Sequence, residues 1–362
     1  MQIFPVPYRE SVNQLIPYKP DKPSPAGDGP ERPLINLSAN ENPLGCSPAV
    51  WAAVIRTEAF AYPDGGCYEL RAALAKRLGI QLNELVFGCG ADEVLSMIGK
   101  VFVEKGDECI TGAVAFSTYT ASAESMGGRM VYVPMKNHGF DLDGILEAIT
   151  EKTKIIFLTN PNNPTGTMFT RDEQTAFIRR LPPRVLLVLD EAYGDFAAGD
   201  DYPDSLPLIR SHQNIIILKT FSKLYGLASF RVGYGIACPQ LIDLLERVRS
   251  PFNVSSQGQA AALAALGDWE FCQETLDNNQ RARAAFCRGL AEIGLPFIPS
   301  RANFVMVDTG RDSRDVFKAL LQKGYIVRNG TSFGMPTYLR VSIGTESQIQ
   351  GLLQALREVL RK

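Results

Sequence analysis

Between residues 84 and 236 the chain passes through seven short β-rich runs, ELVFG, ECITG, RMVYVP, KIIFLT, VLLVLD, NIIILK and RVGYGIA, several separated by amphipathic helical stretches. That alternation is the strongest constraint on the fold. Parallel neighbours cannot be joined by a hairpin, and the helices that connect them cover both faces of the sheet, so fully apolar strands of this length predict a mostly parallel sheet flanked by helices. The fold class expected is α/β. After Pro251 the texture shifts to longer helical stretches, then ANFVMVD, DVFKALLQKG, YIVR, YLRVSIG and a final helix, which predicts a smaller α+β domain. The first 35 residues are proline-rich, densest in YKPDKPSPAGDGPERP, and read as an extended arm. Ser47-Pro48 opens one helical pattern and YPDGG precedes another. The expected division is an arm over 1–35, a large domain over 36–250 and a small domain over 251–362.

Composition narrows the partners. A chain of 362 residues, 45% hydrophobic and 21% charged, has the mix of an ordinary folded protein with room for about two domains. Lys plus Arg number 37 against 39 Asp plus Glu, with no basic block, so nothing predicts nucleic-acid binding and a small-molecule partner is expected. The seven cysteines are scattered without a C-x-x-C pair and read as reduced. Arg9 and Glu10 interrupt the N-terminal segment and no run of 18 apolar residues occurs, so the expectation is a cytoplasmic protein that does not enter a membrane. With only His138 and His212, both in polar turn-like stretches, no metal site is expected.

Open α/β sheets bind ligands outside the carboxyl ends of their strands, so the residues that follow each apolar run carry the functional information. FGCGADE places Gly88 and Gly90 between a strand and a helix starting near Ala91; it reads either as a tight turn or as a phosphate site built from free N–H groups and the helix dipole. TNPNNPTG follows KIIFLT and delivers the amides of Asn160, Asn162 and Asn163 at a strand end stiffened by proline. VLLVLDEAY ends an apolar run on Asp190 and Glu191, with Tyr193 close behind. A carboxylate there needs a cation or hydrogen-bond donors, although Asp190 could also cap a helix. In LKTFSKLYGLASFRVGYG, Ser222, Lys223 and Arg231 crowd together; a lysine near other cations and partly desolvated offers a neutral amine as nucleophile, while an arginine with a serine can hold a phosphate. Arg340 sits inside the apolar YLRVSIG, where it needs a protein carboxylate or a substrate anion.

Taken in order, NENPLG, YPDG, GCGADE, NPNNPTG, DEAY, TFSKLYGLASFRVGY and LRVSIGT resemble the fold-type I pyridoxal phosphate enzymes nearly end to end, in particular the aminotransferase class that includes histidinol-phosphate aminotransferase. The resemblance implies a large sheet domain with a smaller α+β domain, pyridoxal 5'-phosphate as cofactor, and a homodimer with shared active sites. Lys223 would be the Schiff-base lysine and proton shuttle. Asp190 would pair with the ring nitrogen, and Asn163 and Tyr193 would bond the ring's 3′ oxygen. Gly90, Ala91, Ser222 and Arg231 would grip the phosphate, with Asp92 also among the cofactor-binding residues, Phe116 would stack on the ring, and Tyr62 would reach the neighbouring subunit's cofactor. Tyr18, Asn40, Arg328 and Arg340 would meet the substrate. The implied reaction passes an amino group from histidinol phosphate to 2-oxoglutarate. Aromatic amino-acid aminotransferases share nearly every one of these motifs, and threonine-phosphate decarboxylase-like enzymes share the lysine and the phosphate grip.

Overall fold

The computed structural model describes residues 9–15, 34–197, 199 and 201–360. Tyr18, expected at the substrate, lies outside the described residues.

All seven β-rich runs form strands of one sheet: β2 (Leu85–Cys89), β3 (Glu108–Gly112), β4 (Arg129–Val133), β5 (Thr153–Thr159), β6 (Leu186–Asp190), β7 (Ile215–Thr220) and β8 (Val232–Ala237), preceded in the chain by β1 (Ile35–Leu37). Their order across the sheet is β2-β8-β7-β6-β5-β3-β4. Only β8 runs against its neighbours β2 and β7; the remaining pairs are parallel. The pleat sends alternate residues to opposite faces. Ile155 and Phe157 of β5 pack with Val188 and Leu218 under the helix Ala91–Phe102, which contributes Val94, Leu95 and Ile98. Their neighbours Ile156 and Leu158 join Leu187 and Leu189 on the other face, against Phe177 and Ile178 of the helix Arg171–Arg180. Each large side chain sealed in these layers contributes roughly 1.5–3 kcal/mol. Two buried faces are why these strands read as unbroken apolar runs and not as alternating ones.

The second sheet is formed by β9 (Phe297–Ile298), β10 (Phe304–Asp308), β11 (Tyr325–Asn329) and β12 (Tyr338–Ser342) in the order β1-β11-β12-β10-β9. Its apolar face, including Val305, Val307, Leu339 and Val341, packs on Phe286 and Leu290 of the 24-residue helix Trp269–Glu292 and on Leu352 and Leu356 of the C-terminal helix. Strand β1 precedes the large sheet in sequence yet pairs in parallel with β11, Leu37 opposite Val327. This return carries Ser38, Ala39 and Asn40 between the two sheets. No described helix is long and apolar enough to cross a membrane.

Candidate active site

The carboxyl ends of β5, β6 and β7 converge on one acidic group. Asp190 closes β6 beside Thr159, its register partner at the end of β5, and only 4% of its surface is exposed. Its Oδ1 accepts from the Ala192 N–H at 3.1 Å, and its Oδ2 accepts from the Tyr119 phenol at 2.7 Å. Thr159 Oγ1 lies 2.5 Å from the same phenol oxygen. Burial raises the Asp190 carboxyl from its ordinary range to about 6, and the two donated hydrogen bonds offset only part of that. Tyr119 is completely buried, stacked on Phe157 at 4.9 Å; burial first, and then the Asp190 charge, push its phenol well above its usual value, so it stays a donor. Among the described residues no cation pairs with this buried carboxylate.

Beside Asp190, the Tyr193 hydroxyl accepts from Asn40 Nδ2 at 3.0 Å and from Asn163 Nδ2 at 3.3 Å. Lys223, three residues past the end of β7, brings its Nζ to 5.7 Å from the Tyr193 ring centroid and donates to the Ala39 carbonyl at 3.2 Å. Behind this group Lys219 and Glu191 form an ion pair of 3.1 Å. Burial acts to lower the Lys219 ammonium, but Glu191 and Asp195 outweigh it and the net direction is upward.

The glycine turn brings a helix N-terminus and a guanidinium together. Gly90 caps the helix Ala91–Phe102 without a side-chain cap, at φ 76°. A Cβ at Gly90 would stand 2.3 Å from Arg231 Nη2, so the close approach of the guanidinium requires glycine. Arg231, at φ 53°, reaches Asp92 Oδ2 at 3.2 Å across the first helical turn. Ser222 is buried next to Lys223. A helix N-terminus with its dipole and a guanidinium together suit a phosphate.

The opposite wall comes from the second sheet. Arg340, 7% exposed, donates through Nη1 to Asn163 Oδ1 at 2.6 Å and through Nη2 to the Ser38 carbonyl at 2.7 Å, both neutral acceptors. Asn40, in the left-handed region at φ 56°, is held by Ser342, whose hydroxyl accepts from its N–H at 2.8 Å and donates to its Oδ1 at 2.9 Å. Arg328 on β11 stands in register with Arg340 on β12. Asn40, Asn163, Tyr193, Lys223 and Arg340 are thus linked by direct contacts, Asp190 closes β6 three residues before Tyr193, and Gly90, Ala91, Asp92 and Arg231 lie together at the glycine turn. Phe116 meets Tyr119 edge-on at 5.7 Å. Tyr62 is not part of this network: it is exposed and stacks on Phe252 at 4.8 Å.

Sequence reasoning missed Tyr119, Thr159, Ser342 and Phe304, whose ring meets Tyr193 edge-on at 5.0 Å and lies 5.4 Å from the Arg340 guanidinium. Tyr119 lies one helical spacing beyond Phe116, but nothing in FSTY indicates that its phenol meets Asp190. Among the described residues no cluster of His, Cys, Asp and Glu could hold a metal ion.

The profile of the family described as aminotransferase class I and II matches residues 32–356. Histidinol-phosphate aminotransferase of Moorella thermoacetica is 44% identical over 360 residues, covering 97% of this chain and 92% of that protein. The enzyme of the same name from Caldicellulosiruptor saccharolyticus is 42% identical, covering 98% of this chain and 100% of that protein. The crystal structure of histidinol-phosphate aminotransferase from Sinorhizobium meliloti in complex with pyridoxal-5'-phosphate superposes with a TM-score of 0.89 at 31% identity, covering 99% of each chain. With a match of this length, and a lysine, a buried aspartate and a glycine turn converging at the strand ends, the chain belongs to the aminotransferase class I and II family.

Proposed function

We propose that this protein is a pyridoxal phosphate-dependent aminotransferase that transfers the amino group of histidinol phosphate to 2-oxoglutarate. The observation that supports the cofactor is the buried Asp190, raised to about 6 and without a cation partner among the described residues, together with a glycine turn pressed against the Arg231 guanidinium. The residues present fit the group. When bound, pyridoxal phosphate supplies a cationic conjugated ring that withdraws the electron pair left on the substrate Cα as its proton departs.

The chain's own residues do the rest. Lys223 Nζ would hold the cofactor and, when free, would take the proton from substrate Cα as general base, work that contributes typically 10²–10⁴-fold. Asp190 keeps the ring nitrogen protonated, and Tyr119 fixes the direction of that carboxylate. Asn163 and Tyr193 would hold the ring's 3′ oxygen, and Phe116 would stack on the ring. Gly90, Ala91, Ser222 and Arg231 would position the phosphate, with Asp92 paired to Arg231 beside it. Arg340 receives the substrate anion, with Arg328 beside it and Asn40 lining the approach. The names of the relatives that match nearly full length support histidinol phosphate as substrate. Glutamate, histidinol phosphate, phenylalanine and threonine phosphate should be added separately to the cofactor-loaded protein. Loss of its visible absorbance with glutamate and histidinol phosphate is the expected result. A response to phenylalanine alone would replace histidinol phosphate with an aromatic amino acid, and carbon dioxide release from threonine phosphate would replace transamination with decarboxylation.

The working unit in this reading is a homodimer in the cytoplasm. Trp51, Ile55, Phe60 and Tyr62 are exposed within twelve residues, Ile55 at 85% and Phe60 at 87%, a surface that a second copy would cover and from which Tyr62 would reach the neighbouring cofactor. The free cysteines suit a reducing compartment. Ile55→Glu should shift the protein toward monomer in sedimentation velocity and weaken cofactor retention; an unchanged dimer would place the interface elsewhere.

A further inference from the structure

Arg328 and Arg340 face each other in register on the antiparallel strands β11 and β12. Direct cross-strand partners share a face, and like charges placed this way destabilise a sheet unless a neighbouring group compensates. Phe333, in the short 3-10 turn Gly330–Phe333 that links the two strands, is such a group. Its ring centroid lies 5.6 Å from the Arg328 guanidinium carbon and 5.4 Å from that of Arg340. Arg340 in turn lies 5.4 Å from the Phe304 ring. The order Phe304, Arg340, Phe333, Arg328 therefore alternates ring and cation, and each guanidinium rests against an aromatic face that attracts it. The turn that presents Phe333 is constrained: Met335 N–H donates to the Gly330 carbonyl at 3.0 Å, and a Cβ at Gly330 would stand 2.3 Å from the Met335 carbonyl.

We propose that Phe333 is a specificity-determining residue, which sets the separation of the two arginines so that both face one doubly charged phosphate ester. This deepens the reading above and rests on it. A phosphate dianion offers oxygens to two guanidinium forks, whereas a single carboxylate is satisfied by one. Phe333 therefore favours the phosphate-bearing substrate over amino acids whose only anion at this end is a carboxylate. It acts through the arginines and leaves proton transfer at Lys223 untouched.

The test compares wild type, Phe333→Leu and Phe333→Tyr as cofactor-loaded enzymes, with histidinol phosphate and with glutamate as donors and with inorganic phosphate as competing ligand. Leucine keeps apolar volume and loses the ring; tyrosine keeps the ring. Phe333→Leu should raise KM for histidinol phosphate and the inhibition constant of inorganic phosphate about tenfold, the size of a desolvated cation–π contact, with kcat and the glutamate KM nearly unchanged. Phe333→Tyr should behave as wild type. Equal weakening toward glutamate and phosphate, a fall in kcat with KM unchanged, or a tyrosine variant as impaired as the leucine one would overturn the assignment. If wild type does not turn over histidinol phosphate at all, the substrate reading fails on its own. Inorganic phosphate then decides for Phe333: weaker binding to Phe333→Leu than to wild type supports the proposal, and equal binding overturns it.

Discussion

The two walls of the site are built by different means. The wall at the large sheet consists of residues at the ends of consecutive parallel strands, where the α/β topology itself collects them: Thr159, Asp190 and Lys223 follow β5, β6 and β7, which are adjacent in the sheet. The opposite wall is assembled across long stretches of chain. Arg340 reaches back 302 residues to Ser38 and 177 to Asn163, while Asn303 Nδ2 donates to the Asn40 carbonyl at 3.0 Å. The first wall presents a lysine, an acid and a glycine turn; the second presents cations and rings. In the proposed function the chemistry falls to the more locally encoded wall, and the choice of substrate to the wall that depends on how the two sheets meet.

If that division holds, variants on the two walls should separate in kcat and KM. The largest effect is expected for Lys223→Ala, which removes the amine that carries the proton and should lower kcat about 10³-fold while the glycine-turn residues still bind free phosphate; a variant retaining more than a tenth of wild-type turnover would contradict the role. Arg340→Met should act on KM instead. Loss of a charge-assisted contact to the substrate anion corresponds to roughly 10–100-fold in KM for both glutamate and histidinol phosphate, with the cofactor still held at Asp190. A fall in kcat as large as the rise in KM would merge the two walls into one functional unit.

A smaller effect concerns stability. The Asp190 carboxyl titrates near 6 in the folded chain and near its ordinary value of about 4 in the unfolded chain. The folded state then binds the proton more tightly, so cofactor-free protein loses stability as the pH rises from about 4 through about 6, by of order 2–3 kcal/mol. Relative to Asp190→Asn, which cannot ionise, wild type without cofactor should melt a few degrees lower at pH 7.5 than the same comparison gives at pH 4.5. Pyridoxal phosphate should reverse that deficit, because its ring nitrogen supplies the missing cation. A difference between wild type and variant that does not change with pH would mean that Asp190 is already ionised without strain.

Much of the large sheet was legible because its strands are buried on both faces and so appear as apolar runs, all seven of which are strands. The strand-end residues were legible for the same reason: a polar group that ends such a run has few places to go. Tyr119 was not legible, since a tyrosine in a short helix carries no mark of whether its hydroxyl meets solvent or the carboxylate of Asp190, 71 positions further on. Nor was β1. Three residues after a proline-rich stretch carry too little pattern to show that they pair with a strand near residue 326.

Hydrophobic periodicity and turn chemistry, which act over a few residues, were enough by themselves to determine the α/β architecture and to put a lysine, an acid and a glycine turn at strand ends, while the roles expected of those residues came from the resemblance of the motifs taken together. The tertiary structure alone decided the burial of Asp190 and its donors, the return of Ser38–Asn40 between the sheets, and the placing of Phe333 between two facing arginines. Those features depend on desolvation and on distances between segments far apart in sequence, and both arise only once the sheets have packed.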